Sequence, residues 1–281
     1  MTASPAKPLN ILVFGAHPDD CDFTSGGVAA LYAKLGHRVK FVSLTNGDSG
    51  HHEIGGVELA KRRFGEAQAV AKALGLAEYQ VVDVPDGELE PTLANRRGVI
   101  KIIRDFQPDL ILSPRPNDYH PDHRYTAVLV QDAAYMVTVP NVLALTPHLL
   151  VNPVIAYVAD TFRRPYPFTP DVAVSIDDVM EEKLGALDCH VSQMYEWLPY
   201  NANRLAEVPA GAADRKAWLS KRYIVRFEGI ANKHRDLLVK YYGPARGAKV
   251  RFAEAFEGCE YGSPLTEAII PSLFPFFGVG G

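Results

Sequence analysis

Apolar and polar positions fall in blocks along the first half of the chain. The run from Asn10 to His17 is apolar throughout and ends in a sharp polar turn, as expected of a strand buried on both faces of a parallel sheet. Residues 25–36 then place small and apolar side chains at helical spacing and stop at a glycine, and residues 38–44 form a second apolar run. These three segments predict a βαβ unit. The alternation continues with a helix over 57–74 stopped by Gly75, a strand over 79–84, a helix over 92–106 and a strand over 109–113. Strands alternating with helices predict an α/β fold, Rossmann-like in layout, with a mostly parallel sheet, helices on both faces and right-handed crossovers. Ligands of such sheets sit beyond the carboxyl ends of the strands, so the loops after Ala16, Leu44, Val84 and Ser113 are where chemistry is expected.

Beyond about residue 140 the pattern weakens. Residues 154–158 and 172–176 read as strands and 178–195 as a helix, whereas the proline-rich stretches 164–170 and 271–277 resist regular assignment. The whole chain, 1–281, reads as a single domain. Its catalytic core covers about 8–195, and an irregular C-terminal elaboration over about 196–281 serves as a lid or wall.

Composition narrows the classes. With 281 residues, 47% hydrophobic and 22% charged, the chain can bury a large core, and a net charge of -4 with dispersed lysines and arginines argues against a nucleic-acid partner. Cys21, Cys189 and Cys259 are far apart and in no CxxC pattern, so neither a disulfide framework nor a cysteine metal site is expected, and a reducing cytoplasm is the default. The first residues contain no long apolar segment, and no stretch approaches the roughly 20 apolar residues of a membrane span, so neither export by that route nor a membrane anchor is expected.

Two short clusters carry the candidate chemistry. His17-Pro18-Asp19-Asp20 follows the first strand, and His120-Pro121-Asp122-His123 follows the fourth. A catalytic zinc takes three nitrogen or oxygen ligands and keeps a position for water, which a His/Asp/His set drawn from both clusters satisfies. The carboxylate of the first cluster left over from coordination can then act as a base on the activated water. One such cluster alone would be an ordinary Asp/Pro turn before a helix, but two on the same sheet edge are not explained by turn chemistry. A nucleotide or sugar binder without catalysis is the weaker alternative, because Gly15-Ala-His-Pro-Asp-Asp20 stands where a GxGxxG phosphate loop would be required.

The run Ala16-His17-Pro18-Asp19-Asp20 followed by Gly26-Gly27, with His120-Pro121-Asp122-His123 downstream, resembles the PIG-L or LmbE-like zinc-dependent N-deacetylases. Thr45-Asn46-Gly47-Asp48, Leu59-Ala60, Arg63 with Glu66-Ala67, Leu74-Gly75, Lys183 and His190 with Ser192-Gln193 extend the resemblance over roughly 10–195. It implies a metal on His17, Asp20 and His123, zinc or another divalent ion such as Fe2+, with Asp19 as general base and His120 facing the oxyanion. It implies Arg63 and Asp48 as substrate-binding residues and removal of an acetyl group from an N-acetylglucosamine-type amino sugar. A non-sugar amide is the alternative substrate, and a homo-oligomer is compatible.

The remaining residues of interest carry paired readings. His120 is expected to act as an imidazolium, stabilising the oxyanion and protonating the leaving amine. Asp122 either orients His120 or caps the helix starting near His123, and Asp122 and His190 are the candidates for support behind the ligands. Arg63 clamps a substrate hydroxyl or phosphate, or else pairs with Glu66. Cys21, where many relatives carry glutamate, reads as a small buried hydrophobe, and Asp118 occupies the place of a tyrosine found in some relatives, with Tyr119 adjacent. His51 and His52 read as part of a surface loop.

Overall fold

The computed structural model describes residues 7–277. The N-terminal MTASPA, on which the expectation about export partly rests, lies outside the described residues. Seven strands form one sheet in the order β3-β2-β1-β4-β5-β7-β6: β1 (Asn10–Gly15), β2 (Arg38–Ser43), β3 (Glu78–Val81), β4 (Leu110–Ser113), β5 (Val154–Val158), β6 (Val172–Ser175) and β7 (Ala253–Gly258). β1 to β5 pair in parallel, and β7 runs antiparallel to both of its neighbours. The predicted α/β class and mostly parallel sheet are borne out.

The connections explain where the site falls. From β1 the chain steps outward through α1 (Asp20–Lys34) to β2 and through α2 (Gly56–Leu74) to β3, then returns by α3 (Leu93–Phe106) to β4 on the other side of β1. The direction of winding therefore reverses between β1 and β4, and the loops leaving those two strands diverge around a crevice. These loops carry the two His-Pro-Asp clusters, and α4 (Pro121–Met136) leads from the second to β5. Because both faces of the sheet are covered, β1 sends Ile11 and Val13 into a core with Val28, Tyr32 and Val70, and Leu12 and Phe14 into another with Ile100, Ile103 and Leu129. This two-sided burial is the reason that the strand reads as a continuous apolar run.

Three expectations need correction. α1 begins at Asp20 rather than Ser25, since Asp20 and Asp22 occupy its first turn, where the helix dipole favours negative charge. The long helix expected over 178–195 is broken: a 3-10 turn (Asp177–Val179) leads into α5 (Met180–Cys189), and a π-helical turn (Ser192–Trp197) leads into α6 (Leu198–Asn201). At the break the Glu66 carboxylate accepts hydrogen bonds from both Ser192 N (2.8 Å) and Ser192 Oγ (2.6 Å), which draws the chain off the α-helical path.

The C-terminal elaboration, third, is regular. It contains α7 (Ala212–Lys233), α8 (Arg235–Gly247), β7 and α9 (Ile270–Leu273), and β7 inserts between β5 and β6, so the last third of the chain completes the sheet. No described helix is long and apolar enough to cross a membrane.

Candidate active site

The tight turn after β1 is built by a carboxylate folding back on its own strand. Asp20 Oδ2 accepts from Ala16 N (2.9 Å) and His17 N (2.8 Å), and Gly15 leaves the room this requires, since a Cβ there would lie 2.7 Å from Asp20 Cβ. The same oxygen is 3.5 Å from His17 Nδ1 and 3.4 Å from His123 Nε2, and those two nitrogens are 3.2 Å apart. Ligands about 2.0–2.1 Å from a tetrahedral ion are separated from one another by about 3.3 Å, so the three atoms match one face of such a site. His17, Asp20 and His123 are thus brought together as expected. His120 also lies close, and the imidazoles of His17, His120 and His123 offer nitrogens within 4.8 Å of one another, a looser grouping.

Both histidines of the tighter triangle are held from behind. His17 Nε2 donates to Asp86 Oδ1 at 2.9 Å, with Asp122 Oδ2 3.3 Å away, which aims Nδ1, the nitrogen left bare in the neutral ring, into the triangle. On the other side His123 Nδ1 lies 3.1 Å from Asp118 Oδ1, leaving Nε2 for the triangle. Carboxylates in this position fix the tautomer of a metal-binding imidazole and raise its basicity. Burial opposes charge on His17, but Asp122, Asp20 and Asp86 outweigh it and hold the imidazole well above its usual value. His123 is likewise raised, burial being outweighed by Asp20 and Asp118. Asp20 is held far below the usual carboxylate range, since His123 and His17 overcome its burial.

Asp86 is the residue sequence reasoning missed. It stands in a Pro-Asp-Gly stretch after β3 that reads as an ordinary turn, although that loop opens on the active edge. Asp48, expected to bind substrate, accepts from Asp86 N through Oδ1 at 2.9 Å and so braces the loop that presents Asp86.

Asp122 neither orients His120 nor caps the helix, but it stands behind the ligand candidate His17 as a supporting carboxylate. Fully buried, it accepts from Gly87 N (2.7 Å) and Leu89 N (3.3 Å) and faces His17, while the helix cap is His120, whose Nδ1 accepts from Asp122 N at 3.2 Å. This bond puts the proton of neutral His120 on Nε2. Burial, together with the neighbouring His17 and His123, lowers the His120 pKa, which favours the neutral imidazole, with one N–H to offer, over the imidazolium.

Arg63 pairs with neither Glu66 nor an open cleft. Its guanidinium, 2% exposed, donates through Nη2 to Asp19 Oδ1 (2.9 Å) and through Nη1 to Gly47 O (3.2 Å), with Asp86 Oδ2 3.9 Å away. Gly47, at φ +69°, admits this approach, for a Cβ would fall 2.3 Å from Arg63 Nη1. The arginine therefore fixes one oxygen of Asp19. His190 does not reach the cluster: wholly buried, it bonds Asp22 Oδ2 at 2.9 Å beneath α1. His51 binds Glu196 (2.8 Å) and His52 stacks on Tyr200 with centroids 4.0 Å apart, which ties their loop to the chain after α5. Cys21 is fully buried, and burial raises its thiol pKa, as suits a small core residue.

Comparison with known proteins follows this geometry. The family model described as GlcNAc-PI de-N-acetylase (PIG-L) matches residues 12–134. The chain is 34% identical over 214 residues to diacetylchitobiose deacetylase of Thermococcus kodakarensis, covering 69% of this chain and 77% of that protein. It is 27% identical to 4-oxalmesaconate hydratase of Pseudomonas putida, covering 78% of this chain and 87% of that protein. Among solved structures, N,N'-diacetylchitobiose deacetylase of Pyrococcus horikoshii in complex with an inhibitor superposes with a TM-score of 0.69 at 25% identity, covering 91% of this chain and 85% of that chain.

Proposed function

Since the chain belongs to the PIG-L family of deacetylases, we propose that it is a metal-dependent hydrolase removing the acetyl group from an N-acetylglucosamine-type amino sugar. The observation that carries this reading is the triangle of His17 Nδ1, Asp20 Oδ2 and His123 Nε2, with edges of 3.2 to 3.5 Å, backed by Asp86 and Asp118. These three residues would hold the cation. When bound, it supplies a Lewis acid that acidifies water and polarises the amide carbonyl. An all nitrogen and oxygen donor set suits zinc, with Fe2+ the competing ion.

The side chains around the triangle divide the proton work. Asp19, outside the triangle and steered by Arg63, takes the proton from the attacking water and can return it to the leaving nitrogen. His120 donates its Nε2–H to the oxygen on which negative charge develops, the role of an oxyanion-hole donor. Arg63 acts here through Asp19, and Asp48 through Asp86. The whole chain functions as one domain, because β7 is part of the same sheet. Three free thiols are compatible with a reducing, cytoplasmic setting.

The test is amine release from N-acetylglucosamine and N,N'-diacetylchitobiose by zinc-loaded and metal-stripped protein, alongside the Asp19→Asn variant. Release that depends on the metal, with metal retained but turnover lost in Asp19→Asn, supports the reading. The hydratase of Pseudomonas putida sets the opposing outcome: no amine from any N-acetylated sugar, with metal-dependent addition of water to an unsaturated carboxylic acid, would move this chain to that chemistry.

A further inference from the structure

Two segments of the chain take no part in the steps above, and the fold joins them. Residues 47–55, with His51 and His52, follow β2, and Ser192 and Gln193 open the π-helical turn (Ser192–Trp197). None of residues 48–58 is buried, so no core side chain anchors this loop. Its outer edge is held by polar contacts and one ring stack. Gln193 Nε2 donates to Gly50 O (3.0 Å). His51 Nδ1 accepts from Glu53 N (3.1 Å) and Ile54 N (3.3 Å), which leaves Nε2 to donate to Glu196 Oε2 (2.8 Å). Glu196 is gripped in turn by Arg62 of α2 through two bonds of 2.7 Å, and His52 stacks on Tyr200.

The inner edge of the same loop touches the groups that hold Asp19 and His17. Gly47 O accepts from Arg63, the arginine on Asp19, and Asp48 Oδ1 accepts from Asp86 N, the residue behind His17. Gly50 lies between the two edges: a Cβ there would be 3.2 Å from Arg63 Nη1, 3.4 Å from Asp86 Oδ2 and 3.8 Å from Gln193 Oε1. The loop is thus a single layer, with the supports of Asp19 and His17 on one side and the π-helical turn on the other. Such turns are rare and occur frequently at functional sites. Here the bonds of Ser192 to Glu66 set the turn, and the turn aims Gln193 and Glu196 at the loop.

We propose that Gln193 and Glu196 are positioning residues, which latch residues 47–55 onto the site so that Gly47 keeps Arg63 on Asp19 and Asp48 keeps Asp86 behind His17. The proposal rests on the deacetylase reading for the role of Asp19 and deepens it. A reacting group displaced by about 1 Å can lose on the order of 100-fold in rate, whereas the opening of an exposed loop draws on the low end of local unfolding energies. The latch therefore acts on turnover and on metal affinity more than on the stability of the fold.

The experiment compares Gln193→Ala and Glu196→Ala with the wild type by amine release from N,N'-diacetylchitobiose with the zinc-loaded proteins, by zinc affinity in chelator competition, and by calorimetric Tm. Each variant should lose about 10- to 100-fold in kcat with KM within about twofold. Zinc affinity should weaken by about three- to tenfold, less than removal of the Asp86 carboxylate itself would cause. Tm should move by under about 6 °C. Gln193 is 2% exposed, so if its alanine variant does not fold, Glu196→Ala decides, its side chain being 30% exposed. In an Arg63→Lys background the kcat loss from Glu196→Ala should shrink by about threefold or more, because both changes act on Asp19 by one path. A folded Glu196→Ala with wild-type kcat and zinc affinity, an undiminished loss in the Arg63→Lys background, or a Tm fall of more than about 10 °C would overturn the latch. Zinc affinity weakened in Glu196→Ala while no protein releases amine from any N-acetylated sugar refutes the deacetylase and retains the latch. Amine release with kcat and zinc affinity unchanged refutes the latch alone.

Discussion

Removing the charge of Glu254 should destabilise the protein by about 3–5 kcal/mol, the cost of leaving a buried partner charge uncompensated. Glu254 and Lys183 are 1% and 0% exposed and form an ion pair, Glu254 from β7 and Lys183 from α5. Between them they grip α1: Glu254 accepts from Gly27 N (2.9 Å) and Val28 N (2.8 Å), and Lys183 Nζ donates to Asp22 O and Phe23 O (both 3.1 Å). In Glu254→Gln the ammonium remains buried over the Phe227 ring, 4.3 Å from its centroid. It can escape by losing its proton, and from an ordinary pKa of 10.5 this costs at most about 5 kcal/mol at pH 7, which sets the ceiling. Burial already lowers the Lys183 pKa, so the real cost lies below that ceiling. For a chain of this size each kcal/mol shifts Tm by about 2–4 °C, so a fall of roughly 6–20 °C is expected.

Lys183→Met combined with Glu254→Gln removes both charges and should recover part of the loss, leaving about 1–3 kcal/mol for an imperfectly paired helix N–H. Calorimetric unfolding of the two single variants and the double variant measures the coupling. A Glu254→Gln loss under about 1 kcal/mol, or a double variant as unstable as the sum of the singles, would refute the view that this pair ties the C-terminal strand to the helix bearing Asp19 and Asp20.

Three further outcomes follow from the site. His120→Ala should lose on the order of 100-fold in kcat with metal retained. With His120 proposed as a neutral donor, in line with its lowered pKa, the alkaline side of the wild-type pH profile should keep its position in that variant, and disappearance of an alkaline limb would restore the imidazolium. Metal uptake should weaken as pH falls, since His17 and His123 in the metal-free protein hold protons to higher pH than a free imidazole and the cation must displace them. Competition titration with a chelator across pH checks this, and a pH-independent affinity between about 6 and 8 would contradict it. Asp86→Asn and Asp118→Asn should each weaken metal binding by about 10- to 100-fold, the usual effect of removing a carboxylate behind a ligating histidine, as read by the same titration.

The parallel half of the fold was legible because its central strands, β1 and β4 among them, are buried on both faces and its first two helices are followed by glycine, such as Gly75 at φ +67°. β7 escaped because AEAFEG alternates like a half-exposed strand, and the partners that let its Glu254 be buried, Lys183 and the backbone of Gly27 and Val28, are distant in sequence. The same limit hid the break at Ser192, which depends on Glu66 from α2.

Within the site, the ligand candidates could be picked out because both His-Pro-Asp clusters lie in loops that leave strands at the same sheet edge, after β1 and after β4. Their supports could not, because Asp86 looks like a turn residue and the contacts of Asp122 with His17 and of Arg63 with Asp19 join segments that are distant in sequence. The lowered pKa of His120 was hidden for a related reason, since it depends on burial and on His17, which only the fold brings near.

The central claim is that His17, Asp20 and His123 form the metal site while Asp19 and His120 stay outside it. Anomalous diffraction at the zinc edge from crystals of the zinc-loaded chain tests it most directly. A single peak about 2.0–2.2 Å from His17 Nδ1, a carboxylate oxygen of Asp20 and His123 Nε2 is expected. A peak coordinated by His120 or Asp19, one seated between Asp86 and Asp122, or no peak at full zinc loading would contradict the account.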